Sequence, residues 1–176
     1  MKKAVFSITA ALALAGAAMA QGPDWKTFSG SAKGMQGMIK NNIIKAAEKM
    51  PEESYAFKPS HDVRSFGELV GHVADAQYLF CSASLGEKNP APGIEKGKKT
   101  KAELVAALKE GFAYCDKAYE ALNEENAKDS VKFFGGDRNR QGVLMFNAAH
   151  NNEHYGNMVT YMRIRGFVPP SSEPRR

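Results

Sequence analysis

Two stretches of the chain begin a helix in the same way: Ser65 is followed three residues on by Glu68, and Thr100 by Glu103. In such a capping box the hydroxyl accepts an amide N–H of the first turn and the carboxylate reaches back to the cap's own amide. Two orphan donors are thereby satisfied. Behind each box the apolar residues recur with helical period, Phe66, Leu69, Val73, Ala76 and Phe80 in one, Leu104, Leu108, Gly111, Cys115, Ala118 and Leu122 in the other. No segment shows sustained two-residue alternation, so the expected fold class is all-α.

Two further helices flank this pair. From Trp25 to Lys49 apolar residues fall at Trp25, Phe28, Ala32, Met35, Ile39, Ile43 and Ala46, stopping before Pro51. Gly30, Gly34 and Gly37 interrupt it, each costing about 1 kcal/mol relative to alanine, so packing must hold this helix. The fourth runs from about Arg140 to Arg165, with Gly166 as a C-terminal cap and Pro169-Pro170 forbidding continuation. Between the second and third helices lies Gly86 to Lys99, rich in Gly, Pro and Lys and long for a link between antiparallel neighbours. Such a crossover suits two parallel helices, and the architecture expected is one four-helix bundle.

The N-terminus reads as a secretory signal peptide: Lys2-Lys3, an apolar run from Ala4 to Gly16, then Ala18-Met19-Ala20 before Gln21. Cleavage after Ala20 would leave residues 21–176 as one domain and place the protein in the periplasm or outside the cell. The run is shorter than the ~20 residues of a spanning helix, and no later segment is apolar enough. Losing Lys2 and Lys3 lowers the formal charge from +5 to +3. The remaining charges are mixed, which gives no reason to expect a nucleic-acid or membrane partner. The densest basic group, Lys96, Lys98, Lys99 and Lys101, lacks interleaved aromatics and reads as a solvated loop.

His150 and His154 are four residues apart on the fourth helix. At about 100° per residue they lie within about 40° of each other, on the stripe that carries Val143, Phe146, Asn157 and Tyr161. Stacked core imidazoles are costly unless their polar atoms find partners. His72 lies at the edge of the second helix's stripe, near Leu69 and Ala76. Three neutral imidazoles from two helices make a ligand set for zinc, nickel or iron that leaves positions open for water or substrate. His61, in a polar turn, reads as a surface residue.

These residues carry a resemblance to the DinB-like (DinB/YfiT) superfamily of metal-dependent four-helix bundles. The matching parts are Met50-Pro51 to Arg64 leading into the helix with His72, then His150-Asn151-Asn152-Glu153-His154-Tyr155-Gly156, and the closing Gly166 to Ser172. The resemblance implies an up-down-down-up bundle and a metal held by His72, His150 and His154. Characterised members include thiol-dependent transferases and an isomerase. Their thiols are mainly cytosolic, which sits poorly with an exported chain.

Three functions follow as expectations. The first is a metal-dependent transferase or hydrolase acting on a small molecule, with Glu153 as a candidate base and Asn147 and Asn157 as orienting groups. The second is a non-catalytic metal- or ligand-binding module of the cell envelope. The third comes from His150, Glu153 and His154, which match the inverted zinc-peptidase signature. Only 22 residues follow His154, including Glu173, too few for the helix that would bring a distant third ligand. A homodimer is compatible with the pattern, though no residue marks its surface. Cys81 and Cys115 lie 16 and 15 residues past their helix caps, so parallel helices would bring them to one height. Yet Cys81 is half a rotation from His72 and would point outward if His72 faces a metal. The sequence leaves this disulfide open.

Overall fold

Four polar side chains set the starts of the four long helices in the computed structural model, which describes residues 22–174. Thr27 accepts from the Gly30 amide at 3.0 Å and opens α1 (Phe28–Lys49). Ser65 and Thr100 accept from the amides of Glu68 and Glu103, both at 3.2 Å, and complete the two expected capping boxes at α2 (Phe66–Leu85) and α4 (Lys101–Ala121). Asn139 accepts from the Gly142 amide and opens α5 (Arg140–Ile164). Each such cap stabilises its helix by about 1 kcal/mol. The signal peptide and its cleavage point lie outside the described residues. No described helix is long and apolar enough to cross a membrane.

The contacts give the helix directions. Gly67 and Gly71 near the start of α2 face Leu104 near the start of α4, Gly111 faces Ala74 and Gln77, and Cys115 joins Cys81. The two helices therefore run in one sense. Helix α5 runs against α2, since His150 meets His72 while the later Tyr161 donates to the carbonyl of Arg64. The stripes expected for α2 and α4 are buried throughout, with Phe66, Val73, Leu108 and Cys115 at zero exposure.

Three features depart from the sequence reading. The expected start of the first helix at Trp25 moves to Phe28, and Trp25, Phe28 and Met35 are exposed. This end of α1 packs instead through Ser29, Gly30 and Gly34. Trp25 folds back over Gly34, where an added Cβ would stand 2.3 Å from the indole ring. The crossover contains a four-residue helix, α3 (Ile94–Gly97), which is too short to show periodicity. Finally, Ser130–Phe133 (β1) and Gly136–Asn139 (β2) form an antiparallel hairpin immediately before α5. Only Val131 and Phe133 of β1 face the core, so no extended alternation existed to be read.

Cys81 and Cys115 form a disulfide with Cα atoms 5.1 Å apart, and both are fully buried. Cys81 does not point outward because the flank of α2 opposite the His72 seam is covered by α4. Fourteen of the twenty residues of α2 are buried, between α4 on one flank and α5 on the other. A bridge spanning 34 positions stabilises a fold by about 3–4 kcal/mol in the chain-entropy account. Replacing both cysteines by alanine should therefore lower the melting temperature by several degrees while leaving the helical circular-dichroism signature in place. An unchanged melting temperature would show that the bridge adds nothing to the packing around it.

Candidate metal centre

The α2–α5 contact brings three imidazoles together. The Nε2 atoms of His72 and His154 each lie 3.1 Å from Nε2 of His150, and the ring centroids are 4.3–5.0 Å apart. One ligating atom from each histidine falls within a 4.8 Å cluster, the only such group of three or more His, Cys, Asp or Glu side chains among the described residues. Three nitrogens at about 2.0–2.1 Å from a tetrahedral ion stand about 3.3 Å apart, so the two shorter edges of the observed triangle already approach that spacing.

Proton bookkeeping favours an ion over hydrogen bonds alone. His72 Nδ1 lies 3.3 Å from the Glu95 carboxylate, an ion-pair contact that favours the ring proton on Nδ1 and leaves the Nε2 lone pair facing inward. His150 Nε2 stands between two other Nε2 atoms, and a single proton there can satisfy only one of them. His150 Nδ1 is buried without a hydrogen-bond partner. A cation accepting all three Nε2 lone pairs would remove the conflict at Nε2, and the proton of His150 would then sit on Nδ1.

The environment keeps these rings neutral. Burial is the largest cause for each, followed for His154 by the neighbouring histidines and for His72 by Arg64. His72 is lowered from its usual value, His150 is pushed down to about 4 and His154 to about 3. The neutral form is the one that binds metal.

Glu95, which the sequence reading passed over, positions His72. It sits on α3 and also accepts from Arg64 Nε at 2.8 Å. Asp75, one turn beyond His72, fixes α3 by accepting the amides of Gly93, Ile94 and Glu95, each at 2.8 Å. Gly71 makes this approach possible, since a Cβ there would lie 2.7 Å from the Glu95 Cα. The crossover is thus a brace for one imidazole. Its lysine-rich composition hid that role, because a four-residue helix bearing one carboxylate has no periodic signature.

The remaining candidates divide. The Asn157 amide lies 3.4 Å from His154 Nδ1, and it orients the ring with Nε2 free for a metal when the amide is turned so that its Oδ1 accepts the Nδ1 proton. Asn147 is buried and belongs to a ladder of amides beneath the histidines. Gln77 donates to Asn151 Oδ1 at 2.7 Å, Asn151 donates to Asn147 Oδ1 at 3.2 Å, and the Tyr119 hydroxyl, 2.7 Å from the Leu144 carbonyl, lies 3.1 Å from the same Asn147 oxygen. Tyr161 is core. Glu153 is exposed and takes no part in the cluster. His61 is exposed beside Asp62, as expected.

Glu95→Ala should weaken zinc affinity by about 10–100-fold in a competitive chelator titration, the usual effect of removing the partner that orients a ligand histidine. The neighbouring Lys96→Ala should leave it unchanged. The metal-free protein should also respond to acid in a defined direction. Unfolded histidines take up a proton near 6.5, whereas folded His150 and His154 resist it to about 4 and 3. Their contribution to stability is therefore complete above about pH 6.5 and is lost as the pH falls toward the folded values. Denaturant melts between pH 7 and 5 should show this loss, with a shallower slope for the His150→Gln, His154→Gln double variant. Equal slopes would remove these two rings as its source.

Comparison with known proteins places this geometry in a family. A 29% identical relative over 135 residues, covering 73% of this chain and 85% of its own length, is the uncharacterized protein YjoA of Bacillus subtilis. The crystal structure of a DinB-like protein from Bacillus cereus superposes with a TM-score of 0.72 at 16% identity, covering 84% of this chain and 98% of that one. The crystal structure of YjoA gives 0.66 at 23% identity, with 83% and 99% covered. A more distant structural match is the mycothiol-dependent maleylpyruvate isomerase, with a TM-score of 0.59 at 15% identity, covering 75% of this chain and 62% of that one. The family model described as the DinB superfamily matches residues 39–158, a span that holds all three histidines, and the chain belongs to that superfamily.

Proposed function

We propose that this chain is an exported metal-dependent protein that binds one divalent ion through His72, His150 and His154 and acts on a small molecule as a transferase or hydrolase. The observation that carries the reading is the convergence of three neutral imidazoles on the α2–α5 seam, with the Nε2 atoms of His72 and His154 each 3.1 Å from that of His150. Zinc or nickel suits a three-imidazole set best, and iron is the third candidate. An ion held there would lower the pKa of a water or thiol that shares it. The isomerase named as mycothiol-dependent supports the thiol side of this reading, as a property of that protein.

The chain's own residues supply placement rather than acid–base work. Glu95 and Asn157 orient two rings, and the amide ladder fixes the helix face on which His150 stands. Glu95 is already engaged by Arg64 and His72, and Glu153 faces solvent, so among the described residues no carboxylate is free at the cluster to carry a proton. That observation favours the second reading, a non-catalytic metal- or ligand-binding module of the envelope. Export is supported by the leader-like first twenty residues and by the buried disulfide, which suits an oxidising compartment.

Replacing any one of the three histidines by alanine should weaken metal binding by at least about 100-fold, while His61→Ala should leave it unchanged. The metal-loaded protein, assayed against thiol-transfer, ester and amide substrates, separates the two readings. Turnover that disappears in all three alanine variants supports the enzyme, and stoichiometric metal without turnover supports the module.

A further inference from the structure

Beside the histidines lies a cleft of about 350 Å³, within the range of small-ligand pockets. His72 and His150 form one part of its wall, and Phe80, Phe134, Phe146 and Leu79 form much of the rest. Among these, Leu79, Phe134 and Phe146 are 39%, 68% and 50% exposed. Three of the molecule's exposed large apolar side chains thus gather at the mouth of the cleft that reaches the candidate metal position. A second apolar cleft, between α1 and α5, contains none of the histidines.

The hairpin delivers one of these rings at a conformational cost. The register pairs Phe133 with Gly136, leaving Phe134–Gly135 as a two-residue turn. Both have positive φ, 48° and 75°, which is the type I′ pattern that favours Asn-Gly. Phe134 is the only non-glycine residue with positive φ among the described residues. A bulky side chain in that region is a genuine outlier, and such strain gathers at ligand clamps. The ring it carries stands edge-on to Phe80 at 6.5 Å and to Phe146 at 6.4 Å, while Phe80 and Phe146 meet at 5.2 Å and 72°. Three mutually inclined rings offer both faces and edges, the surroundings in which another aromatic ring packs well.

Charge narrows the occupant further. Asp75 is the one carboxylate lining the cleft, and its oxygens already accept three amides. No lysine or arginine lines it. The geometry points to a ligand with an uncharged aromatic body lying among Phe80, Phe134 and Phe146 and a metal-binding head directed at the candidate ion position beside His72 and His150. This names the substrate class of the proposed site and rests on the three-histidine reading. A polar, multiply charged thiol does not match these walls.

Benzohydroxamate and acetohydroxamate test this, because they share a chelating head and differ by phenyl against methyl. Cobalt(II) loaded into the full-length protein reports on the metal through its visible spectrum, and calorimetry gives the affinities. Free cobalt(II) sets the reference ratio. Benzohydroxamate should bind about 10–100-fold more tightly than that reference predicts, from burial of the ring. Phe134→Asn, which installs the favoured turn residue, should bring the excess within about threefold of unity. It should leave acetohydroxamate affinity unchanged and the melting temperature equal or higher. Phe146→Ala should cut the excess as well. No excess for the phenyl compound, or an excess that survives both variants, overturns the inference and leaves the metal reading standing. A protein that shows no three-nitrogen cobalt spectrum overturns the metal reading, and this inference with it.

Discussion

Helix α2 is packed from two sides, and the site depends on that constraint. One flank lies against α4, where Gly67, Gly71 and Gly111 allow close approach and the Cys81–Cys115 bridge locks the far end. The other flank carries His72 to α5. Because 14 of the 20 residues of α2 are buried, the helix cannot rotate about its axis without exposing apolar side chains or breaking the seam with α4. The direction of His72 is therefore fixed by packing that is not itself polar. Removing a single methylene from a close-packed core is felt by its neighbours, so a rigid frame of this kind holds a ligand geometry better than a loop would.

Polar order supplements that frame where apolar packing stops. Gln77, Asn147 and Asn151 form a buried ladder under the histidines, and Tyr119 extends it to α4. Amides buried in this way specify one register of α5 against α2, since a displaced helix would leave several polar atoms without partners. Above the ladder, Asp75, α3 and Glu95 form a chain of contacts that ends on His72 Nδ1. Packing chooses the face, amides choose the register, and a carboxylate chooses which ring nitrogen points inward.

Much of this was legible in the sequence, for reasons that differ by element. Ser65–Glu68 and Thr100–Glu103 act within four residues, and the stripes of α2 and α4 are repetitive, so local chemistry announces both. The pair His150 and His154 was readable because four-residue spacing fixes a shared face on any helix. Glu95 was not readable, since its importance comes from α3 docking against Gly71, a contact between segments that carry no common pattern. Phe134 was hidden for a similar reason. A two-residue turn is usually marked by Asn-Gly, and a phenylalanine there conceals the hairpin. Trp25 misled the first-helix boundary because it is apolar and falls in period, yet it folds back over Gly34 from outside the helix. Local signals located the helices and two of the three histidines as a pair. The contacts that orient the third arise only from tertiary packing.

The central claim is that His72, His150 and His154 hold one ion together through their Nε2 atoms. Anomalous diffraction from crystals of the zinc-loaded protein, collected on both sides of the zinc edge, measures this directly. The account predicts one strong peak per chain on the α2–α5 seam, about 2.0–2.1 Å from each of the three Nε2 atoms. A peak elsewhere, a peak touching only two of the rings, or a fully zinc-exposed crystal with no peak at the seam would contradict it.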